Sequence, residues 1–187
     1  RADGRARRGR RTAGSLARRI AGRLDAVAGR LVELDDTERV DLLRVGTPVV
    51  CIGGVIPGVS TVSVDDFATA RLATDHLVAL GHRRIAHIGW EGAGDFALAA
   101  TREDGYARAL RDAGLEVVPE LVALGDFTMQ EGYSTAKRLL SDPRLRPTAI
   151  SAASDELAIG AITAARDLGL DVPRDVSVVG IDGHGPR

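Results

Sequence analysis

The sequence predicts an α/β fold of parallel sheets flanked by helices, and three observations carry that expectation. From about residue 47, short apolar β-branched runs alternate with stretches of helical period. Nearly every run hands over to Gly or a polar residue at its carboxyl end. Ala, Val, Leu and Gly dominate while aromatics reach only 3%, which suits packed layers and not a surface for stacking nucleic-acid bases.

Taken in order, "TPVVCIGG" is a buried strand ended by glycines, and "STVSVDD" alternates before closing in acid. "FATARLATDHLVALGH" sets Ala70, Ala73, Leu77 and Leu80 on one helical stripe with Gly81 as its stop. "RRIAHIGW" is a strand. "TREDGYARALRDAGL" opens with a capping-box-like Thr101-x-x-Asp104, presents Tyr106, Ala109 and Leu110 together, and stops at Gly114. "LVALGDF" is a strand, and "TMQEGYSTAKRLLSDP" a helix with a capping box of Thr128 and Glu131, closed by Pro143. "PTAISAA" (strand), "DELAIGAITAARDLG" (helix) and "DVSVVGID" (strand) complete the series.

Ahead of this regular text, residues 1–30 hold ten Arg against Asp3 and Asp25, so the overall charge of −1 hides +8 there and −9 elsewhere. Residues 1–15 have no apolar period. Leu16, Ile20 and Leu24 form a weak helical stripe, and "RLDAVAGRLVEL" reads as a strand interrupted at Gly29 and Arg30. The single Cys51 excludes an internal disulfide and reads as a buried thiol. No apolar run reaches the roughly 18 residues of a membrane span, and no h-region follows the basic start.

The strand ends gather the chemistry. Asp66, Trp90, Phe127, Ser154, Asp155 and Asp182 all stand at or just past a predicted carboxyl end, where open parallel sheets bind ligands. Carboxylates and hydroxyls beside two flat apolar faces suit a small polyhydroxylated molecule. A second role stands beside this one: Asp66, Thr101 and Ser154 also read as helix N-caps, and Trp90 and Phe127 as core residues.

Other motifs carry less. "GAGDFA" matches the dinucleotide fingerprint, but Glu91 and Asp95 flank the loop where a pyrophosphate would sit. His76, His82, His87 and His184 lack metal-ligand spacing, and there is no nucleophile elbow or Walker loop. No catalytic residue, metal or cofactor is expected. The Arg-rich start, without a helix-turn-helix pattern or interleaved aromatics, is expected to be a solvated, disordered or mis-framed segment, not a nucleic-acid patch.

"VSVDDFATARLATDHLVALGHRRIAHIG", "TREDGYARALRDAGL", "GDFTMQEGYSTAKRLL" and "PTAISAASDELAIGAITAARDLGLDVPRDVSVVGID" follow one another in the order and spacing of the LacI/GalR family of bacterial transcriptional regulators. From about Asp25 to Asp182 the chain resembles that family's effector-binding and dimerisation region, which is similar to periplasmic sugar-binding proteins. The resemblance implies two α/β lobes, the first incomplete: an Arg-rich segment over 1–22, a partial first lobe over 23–78 and a second lobe over 79–187. It places ligand roles on Asp66, Arg102, Phe127, Ser154, Asp155 and Asp182, and a dimer contact on the helix that Ser154 starts. Arg102 can fork two hydrogen bonds to hydroxyls or a carboxylate.

Two departures bear on the ligand. Ser154 stands where the family often has Asn, and "GIDGH" replaces Gly-x-Asp-Asp, removing one carboxylate. The implied function is the sensing core of a cytoplasmic, homodimeric repressor without catalysis, taking a sugar or sugar phosphate. Operator DNA would be read only through a headpiece that has no counterpart here. Without the headpiece, hinge, first strands and returning segment, the expectation is a truncated product with unpaired strand edges. A solute-binding protein of a transport system is the alternative.

Overall fold

The computed structural model describes residues 27–29, 40, 44, 48–52, 58–90 and 97–183. The Arg-rich segment, the stripe of Leu16, Ile20 and Leu24, Gly53-Gly54, His184 and most of the Gly92 loop lie outside the described residues. Contacts divide the chain into two units, parting between Val64 and Asp65.

The first unit contains a parallel sheet of β1 (Val27–Gly29), β2 (Val49–Ile52) and β3 (Ser60–Val62), in that order. Val27 pairs with Val49, and Val50 with Ser60. Cys51 is buried, as its apolar neighbours predict.

The second unit holds α1 (Asp66–Ala79), β4 (Ile85–Trp90), α2 (Ala97–Asp112), a 3-10 turn at Pro119–Leu121, β5 (Val122–Gly125), α3 (Met129–Ser141), β6 (Ala149–Ala152), α4 (Asp155–Asp167) and β7 (Ser177–Val179). α1 packs against α2 and β6. The strands are parallel in the order β5-β4-β6-β7. The chain therefore leaves β4 to one side for β5 and crosses back for β6, which makes the carboxyl ends of β4 and β6 the topological switch point.

Alternation along β4 assigns the two faces. Ala86 and Ile88 join Leu139, Ile150, Leu157 and Ala161 in a dry cluster under α3 and α4. Ile85 points the other way, onto Leu77, Tyr106 and Leu110 of α1 and α2. At the amino ends of the strands His82 bridges Thr148 (2.9 Å) and Ser177 (3.0 Å), so this histidine ties the base of the sheet.

Three local expectations are corrected. The buried stripe of α1 is Ala70, Thr74 and Leu77; Leu80 is 60% exposed, beyond the helix where the chain turns at Gly81. Thr74 is tolerated inside because its hydroxyl donates back to the Ala70 carbonyl at 2.9 Å. Thr101 is no cap: the helix begins at Ala97, since "ALAA" is itself strong helix-forming text. Of the capping box at Thr128 only one half forms. Its hydroxyl accepts from the Glu131 amide at 3.1 Å, while the Glu131 carboxylate accepts instead from Thr135.

One glycine sets how closely α1 and α2 approach. A Cβ on Gly105 would overlap the Phe67 carbonyl oxygen and lie 3.0 Å from the Arg71 nitrogen. Gly105→Ala should therefore destabilise the chain by about 1–3 kcal/mol, the usual cost of overpacking. Urea unfolding measures it; an unchanged midpoint would show that the two helices part without cost.

Candidate functional site

The site is built around Arg102, on the α2 face one turn before Gly105. That glycine lets α2 lie against the first turn of α1, which brings Arg102 to Asp66. Its Nε donates to Asp66 Oδ1 at 2.8 Å, and its Nη2 reaches the same oxygen at 2.7 Å. Nη1 donates to the carbonyl of Ala153, just past β6, and Nη2 lies 3.9 Å from Asp182 Oδ1. Ala153 in turn donates its amide to the Ile88 carbonyl at 2.8 Å, joining the ends of β6 and β4. The guanidinium thus sits at the switch point, with only 11% of its side chain exposed.

Asp66 is available for this pairing because it does not cap its helix. Asp65 does, accepting from the Ala68 amide at 2.9 Å, so the capping role expected of Asp66 falls one residue earlier. Ser154 caps α4 as expected, accepting from the Leu157 amide at 3.3 Å, and is itself buried. Asp155 and Glu156 occupy that helix's first turn, where the macrodipole favours anions. The Asp155 carboxylate lies over Gly180, where a Cβ would collide with it.

Asp182 follows β7 with a φ of +134°, a conformation side chains rarely adopt. Burial raises its carboxyl above the ordinary carboxylate range. Arg102 pulls it down, while the charges of Asp155 and Glu156 push it further up. Phe127, past the end of β5, is half-buried and packs on the α3/α4 core. Trp90 is the last residue of β4. Arg102 is therefore bonded to Asp66 and lies 3.9 Å from Asp182, with Ser154 and Asp155 adjoining them. Phe127 stands apart, committed at least partly to the core.

Two features escaped the sequence reading. The Ala153 carbonyl is invisible in sequence because any residue supplies it. Beneath the site lies a buried polar layer: Thr74 and Ser151 hydroxyls 3.3 Å apart, Tyr106 donating to the Ile85 carbonyl at 2.8 Å, and His87 stacked on Tyr106 at 4.9 Å. Both ring nitrogens of His87 lack a hydrogen-bond partner. Burial lowers its pKa to about 4; the backbone of Ser151 opposes this without reaching hydrogen-bond geometry, and Arg102 adds to it. A histidine at an inward position of a strand was the available signal. Among the described residues no cluster of ligating side chains fits a metal ion, and no helix is long and apolar enough to cross a membrane.

Comparison with known proteins bears on the fold and the family. The periplasmic binding protein-like domain family matches residues 74–186. The transcriptional regulator MalR of Streptomyces coelicolor is 41% identical over 154 residues, covering 79% of this chain and 43% of that protein. Among solved structures, a LacI-family regulatory protein from Chloroflexus aggregans is 31% identical with a TM-score of 0.77, covering 89% of this chain and 60% of its own. The complex of the regulator CelR with cellobiose is 36% identical with a TM-score of 0.76, covering 90% and 52%. The chain spans less than half the length of the curated relatives it matches, 35% to 43%. Each of these is a regulator, which favours that reading over a transport protein.

The buried layer generates a pH prediction. In the unfolded chain His87 protonates near 6.5 but in the fold only near 4. The unfolded state therefore binds the proton first. Stability is fully present above pH 6.5 and declines as pH falls toward 4, by up to about 3 kcal/mol. His87→Leu should flatten that decline while staying within about 1.5 kcal/mol of the parent at pH 7. Denaturant midpoints of both chains between pH 7 and 4.5 test this, and parallel curves would refute it.

Proposed function

Because the chain belongs to the periplasmic binding protein-like domain family, in the form found in LacI-family regulators, we propose that it is the effector-sensing core of a transcriptional repressor. The observation that carries this is the Arg102 network at the switch point of β4 and β6. A fixed guanidinium and two carboxylates, Asp66 and Asp182, from three separate parts of the second unit converge there. Such a site positions hydroxyl groups, because Arg102 donates and the carboxylates accept. Ser154 and Asp155 adjoin this network, and Trp90 and Phe127 fall in sequence at the same end of the strands.

The role is binding without catalysis. A sensor of this kind works by favouring one arrangement of the protein over another, and couplings are typically about 1–3 kcal/mol. The regulator would act in the cytoplasm as a homodimer, and operator DNA would be read by a headpiece outside the matched span. Ile159, 44% exposed on α4, is consistent with the dimer contact expected of that helix.

The test is a panel of sugars and nucleosides titrated against the chain, read by calorimetry, by melting temperature and by its single tryptophan. A ligand at a hundred times its Kd stabilises by about 2.7 kcal/mol, a rise of roughly 5–10 °C for a chain of this size. Arg102→Ala and Asp182→Ala should each abolish the rise. Ligands that bind these variants as well as the parent would exclude the site, and a panel without any binder would exclude the sensing role.

A further inference from the structure

Beneath the Arg102 network His87 is 1% exposed, and neither of its ring nitrogens has a hydrogen-bond partner. A buried polar group left in that state calls for an explanation. The ring leans along β4 toward the carboxyl end of the strand: a Cβ on Gly89 would lie 2.9 Å from its Nε2 and 3.2 Å from its Cδ2. Tyr106 stacks on the ring at 4.9 Å, and Arg102 stands one turn of α2 nearer that same end. The Nε2 edge of the imidazole is therefore its edge toward Arg102. Ser151 is its partner across the ladder, and the Ser151 backbone also bears on the ring. Burial, with Arg102 adding to it, keeps the imidazole neutral, so one nitrogen can accept while the other donates. The remaining polar groups of this layer are engaged: Thr74 with the Ala70 carbonyl and Ser151, Tyr106 with the Ile85 carbonyl.

From this arrangement we infer that His87 is a positioning residue of the site, the acceptor to which Arg102 turns when a ligand takes over part of its present bonding. The inference rests on the sensing role proposed above and adds a side chain that lies below the strand ends. A guanidinium carries five N–H groups, and the contacts with Asp66 and the Ala153 carbonyl engage three of them. A ligand group that draws Asp66 to itself, or comes between Asp66 and Arg102, leaves a buried cation short of an acceptor, which the fold must replace. Among the described residues, the buried side-chain atoms without a partner are the two nitrogens of His87. An N–H of Arg102 turned to Nε2 fills that need and fixes the imidazole proton on Nδ1. Neutrality is a condition of the exchange, because a protonated ring has no lone pair to offer and repels the guanidinium. Arg102 held by Asp66 in the free protein and partly by His87 in the bound one gives the site two discrete arrangements, between which a ligand can choose.

The experiment is nitrogen NMR of the four histidine rings in the labelled chain at pH 7, the His87 signals being those lost in His87→Leu. Glucose, maltose, cellobiose and adenosine are titrated in turn, with calorimetry for Kd. A member that binds should shift His87 to a single tautomer, protonated at Nδ1 and hydrogen-bonded at Nε2. His87→Leu should weaken that binding by at least about tenfold, the loss of one hydrogen bond to a charged group. His87→Gln, whose amide oxygen can stand where Nε2 stood, should recover most of it, and His87→Asn, with a shorter reach, should not. Asp66→Asn offers a ligand-free arm: with its carboxylate gone, Arg102 should move the same His87 signals in the same direction. The ligand titration stands whether or not that variant folds. A ligand that binds while the His87 signals stay still overturns the inference and leaves the sensing role intact. So does equal weakening in the Leu and Gln variants, which would make His87 a packing residue. If no member binds, the sensing role itself falls and the inference with it.

Discussion

Arg102 carries its guanidinium into the interior of the second unit, where it is buried. A guanidinium in that position must be given acceptors or the fold loses several kcal/mol. The chain supplies Asp66 from the start of α1 and the Ala153 carbonyl from the turn between β6 and α4. Three segments distant in sequence are held to a common geometry by that requirement. The close approach at Gly105 makes it possible, because a longer side chain there would hold α2 away from α1. An ion pair of this kind adds little net stability over an apolar substitute. Its contribution is registry, placing oxygen acceptors in fixed positions around one donor.

The topology explains why capping residues and candidate ligand residues coincide. Every strand of a parallel sheet ends on the same side, so every following helix begins there. Helix starts need oxygen acceptors for their first amides, and a polar ligand needs oxygen acceptors for its hydroxyls. Asp65 and Ser154 serve the helices, which leaves Asp66 and Asp182 facing Arg102. Asp182 bears a cost in this scheme. Its positive φ and raised carboxyl are both unfavourable, and neither is compensated by a close ion pair at 3.9 Å. Strain of this sort collects where geometry serves something other than stability.

The order of strands and helices was legible because hydrophobic period, glycine stops and strand-end polarity all agree from residue 47 onward. What the sequence could not show is which of two adjacent carboxylates takes which role. "DDF" offers both at the start of α1, and only the handedness of the first turn decides that Asp65 caps while Asp66 turns to α2. Thr101 looked like a cap because its text is one, but the preceding alanines and leucine extend the helix past it. Leu80 matched the apolar period of α1 and lies outside, since period alone does not reveal where a helix stops touching its sheet. Arg102 was legible through family resemblance, whereas its backbone partner carries no side-chain signature.

The two faces of the second sheet differ in kind, and the site lies above the more polar one. Under α3 and α4 the core is almost wholly Ala, Leu, Ile and Val, with helices so close that Gly132 and Gly160 leave no room for a Cβ. Under α1 and α2 the same sheet buries Thr74, Ser151, Tyr106 and His87. Among the described residues, the buried side-chain nitrogens without partners are those of His87. Such an unpaired polar group costs about 1–3 kcal/mol that an apolar residue would not. A protein shaped by stability alone would have no such layer on one face and a dry core on the other. The asymmetry separates two tasks: the α3/α4 face carries the cooperative core, and the α1/α2 face carries Arg102 and the polar surroundings that its charge requires.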